Sequence, residues 1–168
     1  MIMAGESMME TRQYLTFKLD NDDYAINVES VREILDVCSV TKVPQTPDFM
    51  LGVINLRGNV VPVIDLRIKF GFADGAQGEE SCIVVLEVLV DEEMTVLGAM
   101  VDSVQEVLEI SADAMEPPPK IGNRLNTEFI HGMGKRDDQF VIVLDINRIF
   151  STREITLLQQ LEEETAAA

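Results

Sequence analysis

A chain of 168 residues, 46% hydrophobic and 26% charged, is long enough to bury roughly two thirds of its extended surface without a metal or disulfide staple, as one domain or two small intertwined halves. Its formal net charge of −17 argues against a nucleic acid or an anionic bilayer as main partner, because either would press like charges together. Two cysteines without CxxC spacing, no basic stretch followed by an apolar run within residues 1–13, and no apolar run of the roughly 18 residues a span requires together predict a reduced cytosolic chain without signal peptide or membrane helix.

Tyr14, Thr16 and Lys18 alternate with Leu15, Phe17 and Leu19, and Asp20-Asn21-Asp22-Asp23 supplies turn chemistry before Tyr24-Ala25-Ile26, which predicts a hairpin. Val28, Val31 and Ile34/Leu35 then take helical spacing for about two turns, with Asn27 as N-cap. Pro44 and Pro47 mark an irregular stretch. Gly52 to Asn55, Val60 to Ile64, Ile83 to Val90, Thr95 to Val101 and Phe140 to Ile146 are short β-branched runs bounded by Gly, Pro or acidic turns. Many short strands predict barrels rather than a doubly wound sheet. Between them, Gly71 to Glu80 reads as a linker, and Pro117-Pro118-Pro119 interrupts the chain as Pro44 and Pro47 do earlier. Ser151-Thr152-Arg153-Glu154 is a capping box that opens a helix over about 152–162, with Ile155, Leu158 and Leu161 on one face. The ends, 1–13 and 163–168, are expected to be flexible.

The same pattern occurs twice. Val28-Glu29-Ser30-Val31-Arg32-Glu33-Ile34-Leu35 returns as Val101-Asp102-Ser103-Val104-Gln105-Glu106-Val107-Leu108. Phe49 to Phe70 also aligns without a gap on Phe129 to Phe150, matching Gly52 with Gly132, Val61 with Val141, Val63 with Val143 and Asp65 with Asp145. Matches at glycine and aspartate, in one order, separate a duplicated unit from chance similarity of two apolar runs. One domain over 14–162 is expected, its first half over about 14–70 and its second over about 81–150.

Charge is unevenly spread. From Gly71 through Pro119 there is no Lys or Arg, while Glu87, Asp91, Glu92, Glu93, Asp102, Glu106 and others accumulate. Two readings stay open: steering towards a basic partner, or a solvated acidic face. Catalytic chemistry is sparse. His131 is the only histidine, no metal-ligand spacing surrounds it, and neither Cys38 nor Cys82 adjoins a basic cluster that would favour a thiolate. The repeat-related Asp65 and Asp145 invite comparison with a proton-sharing dyad but read as strand-end acceptors of backbone N–H groups. A small hydrolase using Cys38 or an aspartate with His131 is the rival reading.

The most specific block runs from Gly52 to Arg67. Asn55-Leu56-Arg57-Gly58-Asn59 reads as a hairpin loop, with Gly58 free to take positive φ and Arg57 at the tip. The second copy has Lys135-Arg136-Asp137-Asp138-Gln139 here, so the shared scaffold does not demand Arg57. Its guanidinium suits bidentate bonds to a partner, or a local bridge to Asp65 or Glu33.

This block, with Tyr24-Ala25-Ile26, Val31-Arg32-Glu33-Ile34, the Pro44 to Pro47 stretch and Val101-Asp102-Ser103-Val104, closely resembles the CheW family, the coupling proteins of bacterial chemotaxis arrays, over about Tyr14 to Leu161. The resemblance implies a mainly β fold of two intertwined five-stranded Src-homology-3-like barrels related by the repeat, with a short helix and a C-terminal helix. It implies no catalysis, and no cofactor is expected. It implies two partners: the cytoplasmic tip of methyl-accepting chemoreceptors and the regulatory domain of the histidine kinase CheA. The protein is then expected to be cytoplasmic, monomeric when isolated and recruited to membrane-associated arrays. A relative serving another kinase pathway, such as surface motility, fits the same resemblance. Carried over by position, the receptor-facing groove takes Val28, Val31, Glu33, Gly52, Arg57, Gly98, Val104 and Val107. The valines at 31 and 104 read as two groove walls or as plain core residues. The kinase contact takes Met115, Glu116 and Ile121 on a Pro-stiffened loop at a barrel end, and Glu116 stands where some members of the family carry a basic residue.

Overall fold

Asp20 and Asn21 tolerate the left-handed conformation, and in the computed structural model they adopt it, with φ of 51° and 70°. They join β1 (Thr11–Leu19) to β2 (Asp22–Asn27) through the two-residue turn that matches strand twist, with Leu19 opposite Asp22. The structure describes residues 11–37, 40–71, 80–90, 92–117 and 129–149. Cys38, most of the expected linker, Pro118, Pro119, Ile121 and the expected helix over 152–162 lie outside them.

The two-turn helix expected after Asn27 is a single 3-10 turn, Val28–Ser30. Asn27 does cap it, its side chain accepting a hydrogen bond from Glu29 N at 2.9 Å. Val31–Asp36 then runs on as strand β3, antiparallel to the later strand Cys82–Val90. A helix this short gains too little to offset its nucleation, whereas β-branched residues with an available ladder partner pair at once. The remaining strands are β4 (Met50–Leu56), β5 (Asn59–Asp65), β6 (Cys82–Val90), β7 (Glu93–Val101), β8 (Ser103–Ser111), β9 (Ile130–Arg136) and β10 (Gln139–Leu144). One α-helical turn, α1 (Leu66–Lys69), follows β5.

Two five-stranded sheets result, ordered β8-β1-β2-β10-β9 and β3-β6-β7-β5-β4. The repeat makes β8, β9 and β10 the counterparts of β3, β4 and β5. Each sheet therefore holds three strands from one copy around a hairpin from the other. The register repeats as well, since β5 pairs in parallel with β7 at Val63 and Gly98, and β10 with β2 at Val143 and Ala25. Each sheet wraps an apolar interior of its own, one of Ile54, Val61, Val63, Ile83, Val85 and Met100, the other of Tyr14, Ala25, Ile110, Val141 and Val143. A larger cluster, including Phe17, Leu19, Tyr24, Val84, Leu86 and Leu97, fills the space between the sheets.

Asp65 and Asp145 act as the sequence suggests. Asp65 Oδ1 accepts from Arg67 N at 2.9 Å, and Asp145 Oδ1 accepts from Asn147 N at 3.2 Å. Their own amides donate to Phe49 O and Phe129 O, each at 2.8 Å. The matched glycines are explained by a strand crossing. Thr41 exchanges backbone hydrogen bonds with Val53, and Glu116 with Met133, at 2.8 and 2.9 Å in both cases. A Cβ on Gly52 would overlap the Thr41 carbonyl oxygen and lie 2.7 Å from its carbon, and φ is +147°. Backbone cannot yield as a side-chain tip can. Gly52→Ala should therefore lower stability by about 1–3 kcal/mol, visible as a reduced urea midpoint with unchanged m-value.

Candidate functional site

β3 and β8 are edge strands, one in each sheet, and they carry equivalent residues. Val31 lies opposite Leu86, Ile34 opposite Val84, Val104 opposite Phe17 and Val107 opposite Leu15. All four partners belong to the central cluster, and directly opposed residues share a sheet face. So Val31, Ile34, Val104 and Val107 all line the space between the sheets. Cys82 pairs with Asp36 on one side and with Val101 on the other, two residues before Ser103, which sets the start of β8 beside the end of β3. Val28, Val31 and Val104 are half-buried and pack on the central cluster, whereas Val107 is 51% exposed and Ile34 45%. The valines at 31 and 104 therefore pack on the core while remaining partly accessible from outside. Ile34 was missed from sequence, because a helical reading placed it with Leu35 on one buried stripe; its match to Val107 in the repeat was the available signal.

Glu33 points the other way. It lies opposite Val85, a barrel-interior residue, and so reaches the barrel mouth, where Arg57 meets it. Arg57 and Gly58 form a left-handed two-residue turn, with φ of 52° and 85°, and Asn55 Oδ1 accepts from Gly58 N at 2.8 Å. From that tip Arg57 donates twice to Glu33, Nη1 to Oε2 at 2.6 Å and Nη2 to Oε1 at 2.9 Å. Of the alternatives open from sequence, the bridge to Glu33 is the one formed; Asp65 is taken by Arg67 at 3.5 Å. Arg57 remains 71% exposed, so the fork is held in place while its outer N–H groups face solvent. The Arg57 hydrogen bonds hold the Glu33 carboxyl below its ordinary range against a smaller opposing desolvation, with the charges of Arg57 and Arg32 adding to the shift. Gly52 and Gly98 are buried, Gly98 against Ile83 and Val63, and they shape the strands instead of presenting a surface.

At the far end of the first sheet, the Met115 side chain lies under Gly132 and packs on that barrel's interior, while Glu116 is exposed beside the bridge to Met133. A cavity of about 480 Å³ opens here between Arg12, Tyr14, Ile110, Met115, Glu116 and His131. A second cleft continues past His131 to Asp145. Both Asp145 oxygens are engaged, Oδ1 by Asn147 N and Oδ2 by Arg148 Nε at 3.4 Å, which leaves this carboxylate poorly placed as a base for His131. Burial pushes the Cys82 thiol up, the opposite of what a nucleophile needs. Among the described residues no three His, Cys, Asp or Glu side chains group as metal ligands, and no helix is long and apolar enough to cross a membrane.

The family model described as a CheW-like domain matches residues 13–154. Chemotaxis protein CheW of Klebsiella aerogenes is 35% identical over 95% of this chain and 92% of its own length. Chemotaxis protein CheW of Helicobacter pylori is 33% identical over 86% and 84%. Among solved structures, the scaffolding protein TtCheW of Thermoanaerobacter tengcongensis superposes with a TM-score of 0.76 at 33% identity, covering 86% of this chain and 91% of that one.

Because Glu33 is lowered in the folded state, the ion pair contributes stability above the ordinary carboxylate range and loses it as pH falls through the lowered value. An NMR titration should place the Glu33 midpoint below that of a free glutamate, and Arg57→Ala should return it to the ordinary range. The stability difference between the two proteins should vanish at pH below the Glu33 midpoint.

Proposed function

The chain belongs to the family of CheW-like domains, whose members are non-enzymatic adaptors, and from that premise we propose that it couples the cytoplasmic tip of methyl-accepting chemoreceptors to the regulatory domain of the histidine kinase CheA. The observation that carries this reading is the apolar strip Val31, Ile34, Val104 and Val107 on two edge strands, with a bidentate Arg57–Glu33 pair on the other face of the same strand β3. A receptor tip is a helical hairpin, and helix-in-groove binding needs an apolar floor with few, oriented polar anchors. Arg57 meets that need because Glu33 has already fixed its rotamer, which reduces the entropy lost on docking. The kinase domain, of related fold, would pack end to end on a barrel, with Met115, Glu116 and Ile121 at the contact. Receptor-on-one-face and kinase-at-the-ends leaves both sites occupied together, as a cytoplasmic array adaptor requires. Signalling then appears as a difference in contact free energy between kinase-on and kinase-off arrangements.

Val107 is half-exposed, so Val107→Asp should preserve the fold while weakening a receptor-tip fragment about tenfold, or roughly 1.4 kcal/mol. Arg57→Ala should weaken the same fragment and leave the kinase regulatory domain bound as before. Calorimetric titration of the whole protein with each fragment checks both. Binding of neither fragment by the unmodified protein at about 100 μM, where a free energy near −5 kcal/mol still registers, would remove the adaptor reading.

A further inference from the structure

The two hairpins exchanged between the sheets differ in length. Phe17 pairs with Val104 on one side and Tyr24 on the other, and Leu86 pairs with Val31 and Leu97, so Phe17 and Leu86 hold equivalent places. Six residues separate Phe17 from Tyr24, whereas ten separate Leu86 from Leu97. The pair Val88 and Thr95 closes the shared part, as Leu19 and Asp22 do in β1–β2; beyond it the second hairpin adds Leu89 opposite Met94 and Val90 opposite Glu93. The β3 ladder stops at Leu86 and the β5 ladder starts only at Gly98, so the added pairs project past both neighbouring strands.

That extension is not demanded by the duplicated scaffold, and it exposes apolar surface. Leu89 is 48% and Met94 60% exposed, side by side on the face opposite the buried Val88 and Thr95. Its geometry is fixed from outside the hairpin. Leu89 N donates to Asn147 Oδ1 at 2.9 Å, from the turn after β10 in the other sheet, and Glu87 is paired to Arg32 at 3.0 Å. The hairpin's own charge is acidic, with Glu92 and Glu93 exposed at the tip and no Lys or Arg in sequence between Gly71 and Pro119; Arg32, the cation beside it, is already paired to Glu87.

We propose that the β6–β7 tip is a separate docking surface for a protein face whose apolar spot is ringed by lysine or arginine. The apolar pair supplies burial, with methionine adapting to an irregular surface, and the acidic tip selects against acidic faces. A second copy of this chain is disfavoured by its own net charge of −17, and an anionic bilayer by the same sign. The inference rests on strand register, exposure and charge, and is independent of the receptor and kinase assignments.

The test titrates the isotope-labelled whole protein with a synthetic amphipathic leucine–lysine peptide and, in parallel, with its leucine–glutamate counterpart. Expected are NMR shifts confined to the 86–97 hairpin, from the lysine peptide only, and weakened by added salt. Leu89→Ser with Met94→Ser should weaken this binding about tenfold. Glu92→Lys with Glu93→Lys, which keeps the apolar pair, should abolish it. Shifts spread over the whole acidic surface, an equal response to the glutamate peptide, or unchanged affinity in either variant would overturn the proposal. Sedimentation showing a dimer lost on Leu89→Ser would overturn it too, assigning the tip to a second copy.

Discussion

Neither copy of the duplicated unit can complete a sheet by itself, because the hairpin in the middle of each sheet comes from the other copy. β1–β2 sits between β8 and β10, and β6–β7 between β3 and β5. Removing either hairpin would leave two separated pieces with open ladders and an uncovered apolar interior. The exchange also dictates where the largest core lies. Phe17 and Tyr24 from one hairpin and Leu86 and Leu97 from the other meet in the central cluster, so the two sheets cannot separate without exposing it to water. A chain of polar contacts supports the same junction. Arg67, 3.2 Å from Asp102, belongs to one sheet's end, and Asp102 accepts from Asp20 N at 2.8 Å in the opposite hairpin.

This exchange places the candidate groove. The edge strands β3 and β8 are equivalent, and their central-cluster partners orient four aliphatic side chains towards the space between the sheets. Edge strands usually invite uncontrolled pairing; here their ends are tied back by arginines. In the first barrel mouth Arg57 holds Glu33, and in the other Arg136 reaches Glu106, the repeat equivalent of Glu33. The two clasps are not alike. Arg136 lies largely inside, 2.8 Å from the covered carboxylate of Asp23, while Arg57 stands at an exposed turn. One clasp therefore serves closure alone, and the other keeps donors available outside.

Small departures from the repeat are where the two copies acquire different surfaces. The second turn loses its Arg-Gly tip, His131 replaces a leucine at position 51, and the β6–β7 hairpin lengthens. Each lies at a barrel mouth, barrel end or hairpin tip, where a change does not disturb a ladder pair. Among the positions that stayed alike, Gly52 with Gly132 lie where backbone crosses backbone, Asp65 with Asp145 cap strand ends, and Val61 with Val141 and Val63 with Val143 fill the barrel interiors.

The duplication, the β class, the β1–β2 turn and the capping role of Asp65 and Asp145 were all legible in the residues, because each depends on local chemistry or on self-comparison of the chain. So were Val31 and Val104 as an equivalent pair. The helical spacing of Val28, Val31 and Leu35 misled, since a 3.6-residue period and a two-residue period overlap over so short a stretch and only the β6 ladder decides between them. Tertiary structure alone exchanged the hairpins, turned Glu33 to the opposite face from Val31, chose Glu33 over Asp65 for Arg57, and brought Ile34 to the surface. Those outcomes are set by pairing between residues far apart in sequence, and no local pattern contains that information.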